Sequence, residues 1–197
     1  MITKKITTAR CQAGQSIVET VLMMPILLLL LLNAVNFGYF FFTITNLAAA
    51  PRTGVEYSIM GGATPSAIEL PETGPSTNAL SSSFLTYEDM RGALNAPTAN
   101  ASVRVCSQSA GVVSGIANCV TYPGTGVTFT FPAAQADPEL NASSTAPAFV
   151  LHQVDVAYKF TPLIPGTVFN VVLLAFPTCN TSGVCVLHRQ SVMRGMN

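Results

Sequence analysis

The sequence predicts an α+β protein, with a long N-terminal transmembrane helix followed by a small antiparallel β-rich head that includes a short helix. Three observations carry that prediction. Residues 20–51 form a 32-residue window with no Asp, Glu, Lys or Arg. Three of the nine basic residues, Lys4, Lys5 and Arg10, stand immediately upstream of it. Downstream, Val150–Phe160 alternates apolar and polar residues with the period of two that a half-buried strand requires.

The helix comes first. Ile26–Leu32 is an unbroken aliphatic run, and a helix over Ile17–Ala50 would be about 50 Å long at 1.5 Å per residue. A bilayer's hydrocarbon core is about 30 Å thick, so this segment spans it with turns to spare. The positive-inside rule keeps the basic end cytoplasmic and exports residues from about 51 onward. The domains are then a basic leader (1–14), a hydrophobic transmembrane helix (15–50) and an exported head (51–197). A secretory signal peptide fits less well, because no A-x-A site closely follows Val21–Leu32. Pro25 reads as a kink and Pro51 as the residue that ends or bends the helix. Phe37, Tyr39, Phe40, Phe41 and Phe42 suit either the outer interface or a packing face.

One carboxylate sets this helix apart from a plain anchor. Glu19 lies five residues beyond Gly14, inside the start of the apolar run. An ionisable residue entering a membrane helix is costly and marks function by default, although near the end the helix dipole lowers the cost. The run Gly14-Gln15-Ser16-Ile17-Val18-Glu19 resembles the processing site of type IV prepilins and pseudopilins. With Thr20-Val21-Leu22-Met23-Met24-Pro25 and the leucines behind it, the run is similar to the opening of TadE-like proteins, pseudopilins of the tight-adherence (Flp pilus) system. Asn36-Phe37-Gly38 falls where those proteins usually carry an acid, an aromatic and a glycine, so Asn36 departs from the pattern. Thr20 also departs, standing where an aromatic commonly follows the glutamate. Ala48-Ala49-Ala50-Pro51-Arg52-Thr53-Gly54 is similar to their alanine-rich A-R-x-G stretch, interrupted here by Pro51.

The resemblance implies cleavage between Gly14 and Gln15 by a prepilin peptidase, which frees an α-amine on Gln15. It further implies that Glu19 of one subunit pairs with the Gln15 amine of its neighbour as helices pack. The implied partners are that peptidase, other pilin or pseudopilin subunits, inner-membrane pilus assembly machinery and the lipid bilayer. The implied location is the bacterial inner membrane, single-pass, or a pilus on the cell surface. The implied role is structural, as a minor pilin. The alternative is a permanently anchored binding module, which needs neither Gly14 nor Glu19.

In the head, residues 61–80 are rich in Gly, Pro, Ser and Thr and read as a loop. Ser82–Leu94 reads as an amphipathic helix with Phe84, Tyr87, Arg91 and Leu94 on one face, stopped by Asn95 and Pro97. The candidate strands are Ser102–Cys106, Val127–Phe131, Val150–Phe160 and Val184–Val192. In the third, Val150, His152, Val154, Val156, Tyr158 and Phe160 share a face. Leu151, Gln153, Asp155 and Lys159 share the other, which suits a sheet buried on one side only. Thr167–Phe176 is apolar but too short to span a bilayer, and is expected under the sheet or against the stalk.

Cys11 lies in the leader and Cys106, Cys119, Cys179 and Cys185 in the exported part, an even set in an oxidising compartment. Four cysteines allow three pairings, and the short Gly- and Ser-containing loops favour Cys106–Cys119 with Cys179–Cys185. A zinc set of Cys179, Cys185 and His188 is the alternative, with a spacing that matches no common finger. No G-x-S-x-G or phosphate-loop pattern occurs, and His152 reads as a core histidine, so the expectation is no enzyme, no cofactor and no metal. Nine Lys/Arg against nine Asp/Glu give zero net charge, which argues against nucleic-acid binding.

Overall fold

One helix, α1 (Gln12–Ile59), runs through the molecule and carries everything else. The computed structural model describes residues 12–59, 82–109, 118–122, 127–135 and 149–196. The basic leader with Cys11 and the loop at 61–80 lie outside the described residues. At 1.5 Å per residue the 48 residues of α1 span about 72 Å. The helix continues through both Pro25 and Pro51, so Pro51 does not end it. Each proline removes one backbone hydrogen bond, and the length on either side holds the helix together.

After α1 come α2 (Ser82–Arg91), the one-turn α3 (Pro97–Asn100) and the strands β1 (Ala101–Ser109), β2 (Asn118–Tyr122), β3 (Phe149–Phe160) and β4 (Cys185–Met196). The sheet is wholly antiparallel with order β2-β1-β3-β4. Between β3 and β4 the chain makes two short 3-10 turns, Thr167–Phe169 and Leu173–Ala175, the first of which lies along α1. Three of the four expected strands form. Val127–Phe131 does not: residues 128–135 are extended without being a strand. Instead Gln135 N–H donates to the side chain of Gln153 at 2.8 Å, and Pro132 has no N–H to offer a ladder.

The core lies between α1, α2 and the near face of the sheet. Val103 and Val105 of β1 join Val154, Val156, Tyr158 and Phe160 of β3, all buried, against Leu47, Ala50 and Val55 of α1. The contact face of α2 is not the expected one. Ser83, Thr86, Tyr87 and Met90 are buried, Phe84 is half-buried and Arg91 is exposed, bonded to Glu88 at 3.1 Å. The face turns this way because small residues are needed where α2 crosses α1. A methyl group at Gly54 would overlap Thr86 Oγ1 and come within 3.2 Å of the Ser82 carbonyl. Tyr87 then reaches across, its hydroxyl facing the carbonyls of Ala101 (3.1 Å) and Tyr122 (3.2 Å). Burial pushes the Tyr87 phenol up to about 12, so it stays a donor.

The far face of β3 is not left to water. Leu151, Gln153, Asp155 and Ala157 are all buried, and the 128–135 segment meets this face through Gln135 on Gln153 and the Phe131 ring against Arg104 and His188. Disulfides Cys106–Cys119 and Cys179–Cys185 tie β1 to β2 and the start of β4 to the turn before it. The second bridge takes both thiols away from any zinc set with His188.

Candidate assembly helix and its junction with the head

The two halves of α1 have opposite surroundings. From Ile17 to Leu31 every large apolar side chain except Leu29 is exposed. Glu19 is exposed in the same stretch and makes no ion pair among the described residues. Gly14 and Gln15 lie in the first turn and a half of α1, so five helical residues separate Gly14 from Glu19. At 1.5 Å per residue that separation is about 7.5 Å of axial rise. The arrangement leaves an apolar rod, with one carboxylate near its end, free to meet lipid or other helices.

From Asn33 onward one stripe of the same helix is buried: Asn33, Asn36, Phe40, Thr43, Leu47, Ala50, Gly54 and Ser58. The steps alternate between three and four residues, which keeps one face of an α-helix toward its partner. Part of the aromatic block joins this stripe. Phe40 meets Phe160 edge-on with centroids 5.2 Å apart, Tyr39 also touches Phe160, and Phe37, Phe41 and Phe42 stay exposed.

Two asparagines fasten the 161–176 segment to the helix. Asn33 Nδ2 donates to the Val168 carbonyl at 3.0 Å, and its Oδ1 accepts from Val171 N–H at 3.0 Å. Asn36 Oδ1 accepts from Ile164 N–H at 3.0 Å. Its Nδ2 faces the carbonyls of Ile164 (2.9 Å) and Phe169 (3.1 Å) and Oδ1 of Asn170 (2.8 Å). A carboxylate accepts but does not donate, so an aspartate at position 36 could not make this junction. Asn36 is an amide because the loop presents both N–H and C=O groups to it.

The sheet contributes two further polar features. On its far face Asp155, fully buried, accepts from Arg104 Nε (2.9 Å) and Nη2 (2.7 Å), and from Gln153 Nε2 at 2.9 Å to each carboxylate oxygen. The Arg104 guanidinium sits 5.0 Å from the centre of the Phe131 ring. His188 Nε2 is 3.5 Å from Asp155 and makes no hydrogen bond. Each charge here is matched and covered, which suits fixing strand register better than acid-base chemistry. On the near face His152 is buried against Ser58 of α1, Nδ1 to Oγ 2.7 Å. Burial pushes its pKa down to about 4, so the imidazole is neutral at physiological pH.

The family model described as TadE-like protein matches residues 14–56. The N-terminal segment is thus similar to TadE-like proteins. The match begins at the glycine of the expected processing site and ends three residues before α1 does. The TadE-like segment is thus the helix itself, exposed half and head-bearing half together, while the sheet lies outside it. No curated protein and no solved structure matches the chain. Among the described residues α1 is the one helix long and apolar enough to cross a membrane, with a mean hydropathy of 2.2 over an 18-residue window.

Asn33 and Gly54 are junction residues that reading the sequence for charge and apolar period passes over. The available signal was a pair of amides three residues apart in a run otherwise without strong polar groups. In a membrane helix such residues mark a partner.

Proposed function

We propose that this chain is a pseudopilin that acts structurally in assembling a tight-adherence pilus, anchored by α1 with the β-rich head outside the inner membrane. Prepilin peptidase cuts after Gly14, and the exposed half of α1 then packs against equivalent helices of other pilin subunits. Glu19 of one subunit neutralises the new Gln15 amine of its neighbour. Apolar burial drives the packing, and the penalty on an unpaired carboxylate selects the register. The role is structural rather than catalytic, and needs no cofactor.

The observation that carries this reading is the Gly14–Glu19 spacing at the head of a helix whose following four turns are largely exposed among the described residues. The TadE-like match over the same residues supports it. A Glu19→Leu variant, expressed with the peptidase and partner pilins, tests it. The expected outcome is normal cleavage with loss of assembly into sheared pilus fractions. Assembly at the wild-type level would contradict the charge pair.

A further inference from the structure

We infer that the 163–176 segment is a second membrane contact: it lies in the lipid leaflet on the head's side, clamped to α1 by Asn33 and Asn36. The inference rests on α1 being the membrane span, and four observations support it.

The first is depth. Asn33 lies fourteen residues beyond Glu19 and Asn36 seventeen, or about 21 and 26 Å along the helix. A hydrocarbon core of about 30 Å that begins at the Glu19 carboxylate extends to about residue 39. The backbone bonded to Asn33 and Asn36 therefore lies at hydrocarbon depth, just short of the far boundary. Phe37, Phe41 and Phe42, exposed on α1, fall at that boundary.

The second is composition. No Asp, Glu, Lys or Arg occurs between Lys159 and Arg189, so the segment carries no formal charge that would hold it out of lipid. The third is the surface. Leu163 (59% exposed), Val168 (52%) and Val171 (56%) point away from the protein, with Val172, Leu174 and Phe176 exposed beside them. This apolar patch continues directly from the exposed half of α1.

The fourth is the treatment of the backbone. Non-helical chain at membrane depth is tolerated only where protein satisfies its polar groups. Here it does. Asn33 and Asn36 satisfy Ile164 N–H and C=O, Val168 C=O, Phe169 C=O and Val171 N–H. Asn170 adds bonds to the carbonyls of Ile164 (3.1 Å) and Gly166 (2.7 Å). A loop facing water would not need seven side-chain amide bonds to its own backbone together with an apolar exterior. The consequence is a head held at a fixed height on the bilayer by two contacts, which must leave lipid together when a subunit is extracted.

The chain contains no tryptophan, so one introduced indole reports one position. The full-length protein is reconstituted in phosphatidylcholine vesicles with plain or acyl-brominated chains, as Val171→Trp, Leu163→Trp, Leu27→Trp or Val120→Trp. The expected result is blue-shifted emission and bromine quenching for Val171→Trp and Leu163→Trp, as for Leu27→Trp in the span, with Val120→Trp on β2 unquenched. Quenching of Leu27→Trp with water-like, unquenched emission at 163 and 171 overturns the inference and leaves the span intact. Blue-shifted but unquenched emission at 163 and 171 also overturns it, in favour of a second copy of the chain covering the patch. Loss of quenching at Leu27→Trp as well overturns the span and the loop contact together.

Discussion

The two halves of α1 are built on opposite rules. The half from Ile17 to Leu31 is almost uniformly apolar and almost wholly exposed, while the half from Asn33 to Ser58 buries a stripe that is partly polar or small: Asn33, Asn36, Thr43, Gly54 and Ser58. In a water-soluble helix the apolar face is the buried one. The inversion shows that the first half takes its solvent from outside the chain, from lipid or from other helices. The second half forms an interior with its own head, using hydrogen bonds and close approach as much as burial. On the proposed function, such a helix passes from membrane to filament without disturbing the head.

Acid gives the largest effect expected of the head-bearing half. Unfolded His152 takes up a proton near its ordinary 6.5, whereas folded His152 resists to about 4. Stability is therefore flat above about pH 6.5, falls as pH drops between those values, and is lower by about 3 kcal/mol at pH 4. Denaturant unfolding of the detergent-solubilised chain against pH, compared with His152→Phe, isolates this component. Next comes Asn36→Asp, which keeps an acceptor for Ile164 N–H but loses the donors to Ile164 and Phe169. At about 1–3 kcal/mol for a buried group left unsatisfied, the expected loss is roughly 2–3 kcal/mol in the same assay. Gly54→Ala, overpacked against Thr86, is expected to cost roughly 1–2 kcal/mol. Leu27→Ala, in the exposed half, should move head stability by no more than about 0.5 kcal/mol. A loss there as large as at Asn36 would erase the distinction between the halves.

The same contrast explains what could be read from the sequence. Uniform apolarity with a charge gap announces the first half of α1, and strict alternation announces β3. The cysteines in short loops point to the two bridges. The buried stripe of α1 is hard to read because it is marked by asparagine, threonine, glycine and serine, which period analysis scores as exposed. The far face of β3 was misread for a related reason. Gln153 and Asp155 look like solvent-facing residues until Arg104, 51 residues away, and the 128–135 segment are in place. β2 was overlooked because Asn118–Tyr122 is short and its pairing depends on β1. Of the candidate site, the Gly14–Glu19 spacing was legible as a motif, whereas the asparagine clamp exists only once the loop before β4 returns to α1.

The proposed function depends on the exposed half of α1 entering assembly with a new amine at Gln15, four residues before Glu19. N-terminal sequencing of the protein recovered from cells that contain prepilin peptidase tests that most directly. The account predicts a chain starting at Gln15. A chain starting at Met1 would instead make α1 a permanent tether, and one starting beyond residue 32 would remove the span altogether.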